Sequence, residues 1–185
     1  MRSKESLSNF FDYDVHLESS TIYIGDEGDD QEITHVTARN VIKAIHILDD
    51  ISKPITIYLN SFGGCFYSGM AIHDVIKAAK NDVTVYCLGA VMSAGSIILQ
   101  AADQRVSYPN TSFMLHDGSD SIIDAPPQSL QNWAEHGKKS LHTMYRIYAE
   151  RSNKPISFWK RKCAADLVLT APEALSLGLI DSIFA

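Results

Sequence analysis

Apolar residues recur along this chain in two rhythms that take turns, one suited to strands and one to helices. β-rich runs at residues 21–24, 55–59 and 83–88 predict strands, the last of them ending at Gly89. Helical spacing appears over 36–48 through Val41, Ile45 and Leu48, with Thr37 as the N-cap. It returns over 68–80 through Met70, Ile72, Val75 and Ile76, and a third helix is expected over 94–102. Short strands at 106–108 and 112–115 flank the Pro109-Asn110 turn. Strand and helix in this order predict an α/β fold, a parallel sheet with crossover helices.

Two stretches break the rhythm. Residues 116–127 are polar, aperiodic and end in two prolines, which predicts a loop, and 25–30 read as an acidic turn. A helix over 128–152 then places Leu130, Trp133, Leu141, Met144, Ile147 and Tyr148 on one side. It is too long for a crossover, so it is expected to project as a handle from a head formed by 20–127 and 153–185 and to pack on another copy. A further helix over 156–164, a strand over 167–169 and a helix opening at Ala171-Pro172 complete the chain.

Composition narrows the classes. With 185 residues, 45% hydrophobic and 21% charged, the chain suits one domain with a real core. A net charge of -6 argues against nucleic acid, whose binding rests on a basic surface. Cys65, Cys87 and Cys163 form neither an even set nor a Cys-x-x-Cys pair, so no disulfide framework and no metal site are expected. Residues 1–11 lack the apolar core of an export signal, and no apolar run reaches the ~18 residues of a membrane span. A cytoplasmic protein without a membrane partner is the expectation.

Candidate chemistry gathers where the predicted strands end. Ser93 lies in the turn Gly89-Ala90-Val91-Met92-Ser93-Ala94-Gly95 and opens an apolar helix. A helix start carries unsatisfied N–H groups and a positive dipole end, which favour an oxyanion. The plainer reading makes Ser93 only the cap of that helix. A second turn, Asn60-Ser61-Phe62-Gly63-Gly64, also joins a strand end to a helix start. On neighbouring parallel strands the two turns would face each other across the carboxyl edge, with the N–H groups of Gly64 and Ala94 aimed at one carbonyl oxygen. By itself Gly-Gly is also what any tight turn needs. The Gly-Lys-[Ser/Thr] ending of a phosphate-binding loop is missing.

A serine nucleophile needs a base. His46, His73, His136 and His142 fall on predicted helices, whereas His116 follows the apolar run 113–115 and opens the loop, at a strand's end. A carboxylate must then fix its tautomer. Asp166, flanked by Ala164, Ala165 and Leu167, sits in an apolar setting where an unpaired acid is costly, so it wants a partner such as His116. Asp103 and Asp117 compete for the role, although Asp117, next to the histidine on a strand-like path, should point to the other side.

Several blocks in one order now resemble a family. They are Asn60-Ser61-x-Gly63-Gly64, Gly69-Met70-x-Ile72-x-Asp74, Gly89-x-x-x-Ser93-x-Gly95, Pro109-Asn110 with Met114-x-His116, Asp166-x-x-Leu169-Thr170-Ala171-Pro172-Glu173-Ala174, and Gly178-Leu179-Ile180-Asp181. From about Phe11 onward the chain closely resembles the Clp protease proteolytic subunit, ClpP. The resemblance implies a ClpP/crotonase-like fold with a Ser93–His116–Asp166 triad and an oxyanion hole from the backbone N–H groups of Gly64 and Ala94. It implies a serine endopeptidase that cuts unfolded polypeptides to short peptides inside a chamber of heptameric rings, one ring or two stacked through the handle. An AAA+ unfoldase would feed it with ATP, and the peptidase itself would need no cofactor. The rival readings are a catalytically inactive ring subunit and an acyl-CoA hydratase or isomerase of the same superfold.

The chain also departs from the family. Phe62 stands in place of a proline at the groove rim, and Asp117-Gly118-Ser119-Asp120 replaces the Gln-Pro and small residues of an inter-ring strand. Ala164 and Ala165 replace the acidic residue and arginine that link rings to the site, so that charge-coupled switch is expected to be absent. The segment before Phe11 is short and lacks the apolar axial-loop residues, and the chain stops at Ala185 without a tail. Such trimming fits a divergent or virus-encoded member.

Overall fold

A computed structural model describes residues 14–25, 32–119 and 125–185. Most of the predicted acidic turn and the middle of the predicted 116–127 loop lie outside the described residues. The described strands are β1 (Val15–His16), β2 (Thr21–Gly25), β3 (Ile55–Ser61), β4 (Val83–Met92), β5 (Gln104–Ser107), β6 (Ser112–Leu115), β7 (Leu167–Thr170) and β8 (Ser182–Ile183). The helices are α1 (His35–Asp49), α2 (Phe66–Lys77), α3 (Ala94–Leu99), α4 (Pro127–Ser152), α5 (Ile156–Lys162) and α6 (Ala171–Leu177).

Strands β2, β3, β4, β5 and β8 run parallel in that spatial order, with β1 antiparallel on the β2 edge. Alternation decides the faces: Ile55, Ile57, Leu59, Val85 and Cys87 are all buried, together with Ile45 and Leu48 of α1 and Ile72 of α2. The parallel α/β fold expected from the rhythm is present.

Strand β4 is longer than its sequence suggests and changes partner along its length. It pairs with β5 from Thr84 to Cys87 and with β6 from Ala90 to Met92. Gly89, at φ +56°, makes the kink between the two, and the Asn60 side-chain carbonyl accepts from Ala90 N–H at 3.0 Å across it. The glycine expected to end the strand instead bends it, and the extra residues carry Ser93 to the sheet's edge.

The N-cap of α1 is Thr34, not Thr37. Thr34 has extended backbone and its hydroxyl accepts from the N–H groups of Val36 and Thr37, while Thr37 answers from the third helical position by accepting from Thr34 N–H at 3.2 Å. A threonine thus stands where a capping box usually has glutamate.

Helix α4 opens with Pro127 at its first turn and spans 26 residues. Met144, Tyr145, Ile147, Tyr148 and Ser152 are buried, whereas none of residues 127–143 is. The C-terminal half is therefore rooted in the head, whereas the N-terminal half is unburied, with Leu130 and Trp133 exposed, and meets the head where His136 stacks on Tyr67.

Candidate active site

Two turns at the carboxyl edge of the sheet build one wall of a cleft of about 620 Å³. Ser93 joins β4 to α3 at φ +48°, ψ -119°, a conformation that side chains rarely adopt and that is characteristic of a nucleophile held on a sharp strand-to-helix turn. Its side chain makes no capping bond, so the plainer reading of Ser93 as a cap fails. The turn is held from beneath. Ser93 N–H donates to Met114 carbonyl at 2.8 Å, and Ser93 carbonyl accepts from Ser96 N–H at 3.0 Å and from Ser96 Oγ at 2.6 Å. Ser96 Oγ in turn accepts from Tyr148 Oη at 2.7 Å. Burial pushes the Tyr148 hydroxyl far above its ordinary range, so it remains a neutral donor.

The facing turn approaches so closely that a side chain would not fit. A Cβ on Gly63 would lie 2.6 Å from Ser93 Cβ and 2.9 Å from Met92 carbonyl, and Gly63 has φ +111°. Ser61 Oγ accepts from Gly63 N–H at 2.9 Å, and Ile33 bridges the turn by donating to Gly63 carbonyl and accepting from Cys65 N–H. Gly64 N–H takes no part in that bridge, and Ala94 N–H, first in its helix, has no acceptor within α3. Gly64, Ala94, Ser93 and His116 all line the cleft.

The opposite wall comes from β6 and β7. Parallel pairing of Met92 with Met114 and antiparallel pairing of Leu115 with Leu167 set the residues just past these pairs side by side. There His116 Nε2 meets Ser93 Oγ at 2.8 Å, and His116 Nδ1 meets Asp166 Oδ1 at 3.2 Å. The three candidate side chains form one hydrogen-bonded line.

Asp166 keeps its place for a reason other than the one expected. Its side chain is 69% exposed, so the apolar setting inferred from Ala164, Ala165 and Leu167 is corrected. Among the described residues strand β7 pairs only with β6, and the alanines before it are too small to cover the carboxylate. Of the competing acids, Asp103 accepts from Val83 N–H at the opposite end of β4, and Asp117 turns away to accept from Tyr145 Oη at 2.6 Å. Other histidines have other neighbours: His73 contacts Asp74, and His136 stacks on Tyr67 beside Trp133.

Three features escaped the sequence. One is the Asp117–Tyr145 contact across 28 positions. Another is the ion pair of buried Arg105 with the partly exposed Asp181, in which Arg105 also donates to Gln100 and Gly178 and so ties the end of α3 to the C-terminal segment. The third is a ribbon of stacked rings, Tyr23–Tyr58–Tyr86, continued by Phe184 and Tyr108, on the sheet face away from α1 and α2. Aromatic residues repeating at equivalent positions of successive strands were the available signal for it.

Fold and site together describe a serine-dependent hydrolase on a parallel α/β sheet. The sequence profile of the Clp protease family matches residues 5–185, and the chain belongs to that family. It is 30% identical over 178 residues to the ATP-dependent Clp protease proteolytic subunit of Deinococcus radiodurans, covering 92% of this chain and 84% of that one. The corresponding subunit of Zea mays is 29% identical, with 91% and 78% covered. Among solved structures, a variant of ClpP1 from Listeria monocytogenes superposes with a TM-score of 0.83 at 29% identity, covering 96% of this chain and 95% of that one.

Proposed function

We propose that this chain is a serine endopeptidase that cuts unfolded polypeptides to short peptides as the proteolytic subunit of a Clp-type protease. The observation that carries the reading is the 2.8 Å contact between Ser93 Oγ and His116 Nε2, continued to Asp166. In this reading Ser93 Oγ attacks the scissile carbonyl while His116 Nε2 takes its proton. The oxyanion that forms accepts from the N–H groups of Gly64 and Ala94, and Asp166 steadies the imidazolium. His116 then passes the proton to the leaving amine, and water repeats the sequence on the acyl-enzyme. Side chains and backbone supply all of this chemistry, so no cofactor is invoked.

The same membership supports assembly and a partner ATPase. We read the assembly as heptameric rings enclosing the cleft, singly or stacked through α4, whose exposed Leu130 and Trp133 suit burial against another copy. The aromatic ribbon offers an apolar face for an AAA+ unfoldase, which would use the ATP. No helix of the described residues is long and apolar enough to cross a membrane, and the cytoplasm is the proposed location. The line from Ser93 through His116 to Asp166 favours an active subunit over an inactive ring member or an acyl-CoA hydratase.

Replacing Ser93 by alanine tests the reading. Cleavage of a fluorogenic peptide and labelling by a fluorophosphonate should fall at least ~10³-fold. Assembled mass should be unchanged. Undiminished labelling, at another serine, would overturn the assignment.

A further inference from the structure

His116 lies one residue past the end of β6, outside the strand ladder. Its neighbours upstream are held in β6, which ends at Leu115, and from His116 the described chain runs on outside the sheet through Asp117 and Gly118 at φ +74°. What holds the exit is Asp117. Its N–H donates to Cys163 carbonyl at the end of α5 at 2.9 Å, and its Oδ1 accepts from Tyr145 Oη on α4 at 2.6 Å. Asp117 lines the cleft beside His116, but its side chain bonds Tyr145 and not Ser93, His116 or Asp166, so the two bonds brace the backbone that aims the His116 ring without touching the reacting atoms.

Tyr145 is well placed to be an anchor. It is only 5% exposed, in the rooted half of α4, three residues before Tyr148, whose hydroxyl holds the serine turn through Ser96. One helix face therefore reaches both halves of the site, Tyr148 toward Ser93 and Tyr145 toward His116. Burial, then the bond to Asp117, push the Tyr145 hydroxyl far above its ordinary range, so it stays a donor.

We infer that Asp117 and Tyr145 are positioning residues, a latch through which the rooted half of α4 holds His116 in register with Ser93 and Asp166. The inference rests on the peptidase reading of that triad. A histidine displaced by about 1 Å loses roughly a hundredfold in rate, while substrate binding is untouched.

Three variants, Tyr145→Phe, Asp117→Ala and Asp117→Asn, test the latch in the full-length assembled protein. Tyr145→Phe and Asp117→Ala should each lower kcat and the rate of fluorophosphonate labelling by about tenfold or more, with KM within about twofold. Asp117→Asn keeps an acceptor for Tyr145 and should restore most of the rate. Solution mass and melting temperature guard against plain unfolding, and reaching the latch from two elements keeps the test alive when one variant folds poorly. Rates within twofold of the parent in both disrupting variants would overturn the latch and leave the peptidase reading standing. So would equal losses in Asp117→Asn and Asp117→Ala. If the parent protein itself fails to label at Ser93, the peptidase reading falls instead, and the latch is then judged from the crystal structure of the Tyr145→Phe protein. A His116–Ser93 contact kept at hydrogen-bond distance there overturns it, and a broken one supports it.

Discussion

The two walls of the cleft are built to different standards. The wall bearing Ser93, Gly63, Gly64 and Ala94 is part of the core: Ala94, Ile97 and Ile98 are buried, and the turn is pinned by Met114, Ser96 and Ile33. The wall bearing His116 and Asp166 is a strand end and an edge, with side chains 30% and 69% exposed. In the proposed peptidase the nucleophile and oxyanion donors are thus prepaid by folding, whereas the proposed base and acid rely on the His116 contacts to Ser93 and Asp166 and on what braces the chain behind them.

The contrast is most sharply broken at Asp166. Asp166→Asn removes the charge that fixes the His116 tautomer, and kcat should fall roughly 10³-fold, about 4 kcal/mol of barrier. Because the carboxylate is exposed, denaturation should show stability within about 0.5 kcal/mol of the parent. A stability loss matching the activity loss would mean that this wall too is part of the core. On the other wall the outcome should reverse. Gly63→Ala drives a Cβ into Ser93 and Met92 at a positive φ, which should cost about 3 kcal/mol of stability together with activity, seen as a lowered denaturant midpoint.

A smaller effect probes how the serine wall is anchored at its far end. Burial alone would raise the Asp181 carboxyl, but the hydrogen bonds and charge of Arg105 outweigh it and hold the group below the ordinary carboxylate range. A depressed carboxyl contributes stability above its unfolded value and loses it as pH falls through the folded one. The melting temperature should therefore drop below about pH 4 more steeply in the parent than in Asp181→Asn. Equal slopes would mean that the Arg105 network does not load the fold.

Local grammar in the chain carried most of the architecture. Period-two runs placed β3 and β4, 3.6-residue spacing placed α1, α2 and α4, and the strand–turn–helix context singled out Ser93. What it hid were facts settled by distant neighbours. The Ser93 turn needs the bare backbone of Gly63 facing it, β4 continues past Gly89 with the Asn60 side chain of the neighbouring strand bonded across the kink, and the Asp117 bond comes from a helix 28 positions away. Asp166 teaches the same lesson from the other direction. Three apolar neighbours in sequence suggested burial, but on an edge strand short side chains cover nothing, and the partner at His116 is found through register.

The backbone at Ser93 also sets stability and catalysis against each other. Its φ of +48° costs a residue with a Cβ roughly 1–3 kcal/mol, while glycine occupies it freely. Under selection for folding alone, this position would drift toward glycine and the chain would become a sturdier, inert shell. A serine retained there marks a protein that trades part of its thermodynamic margin for chemistry.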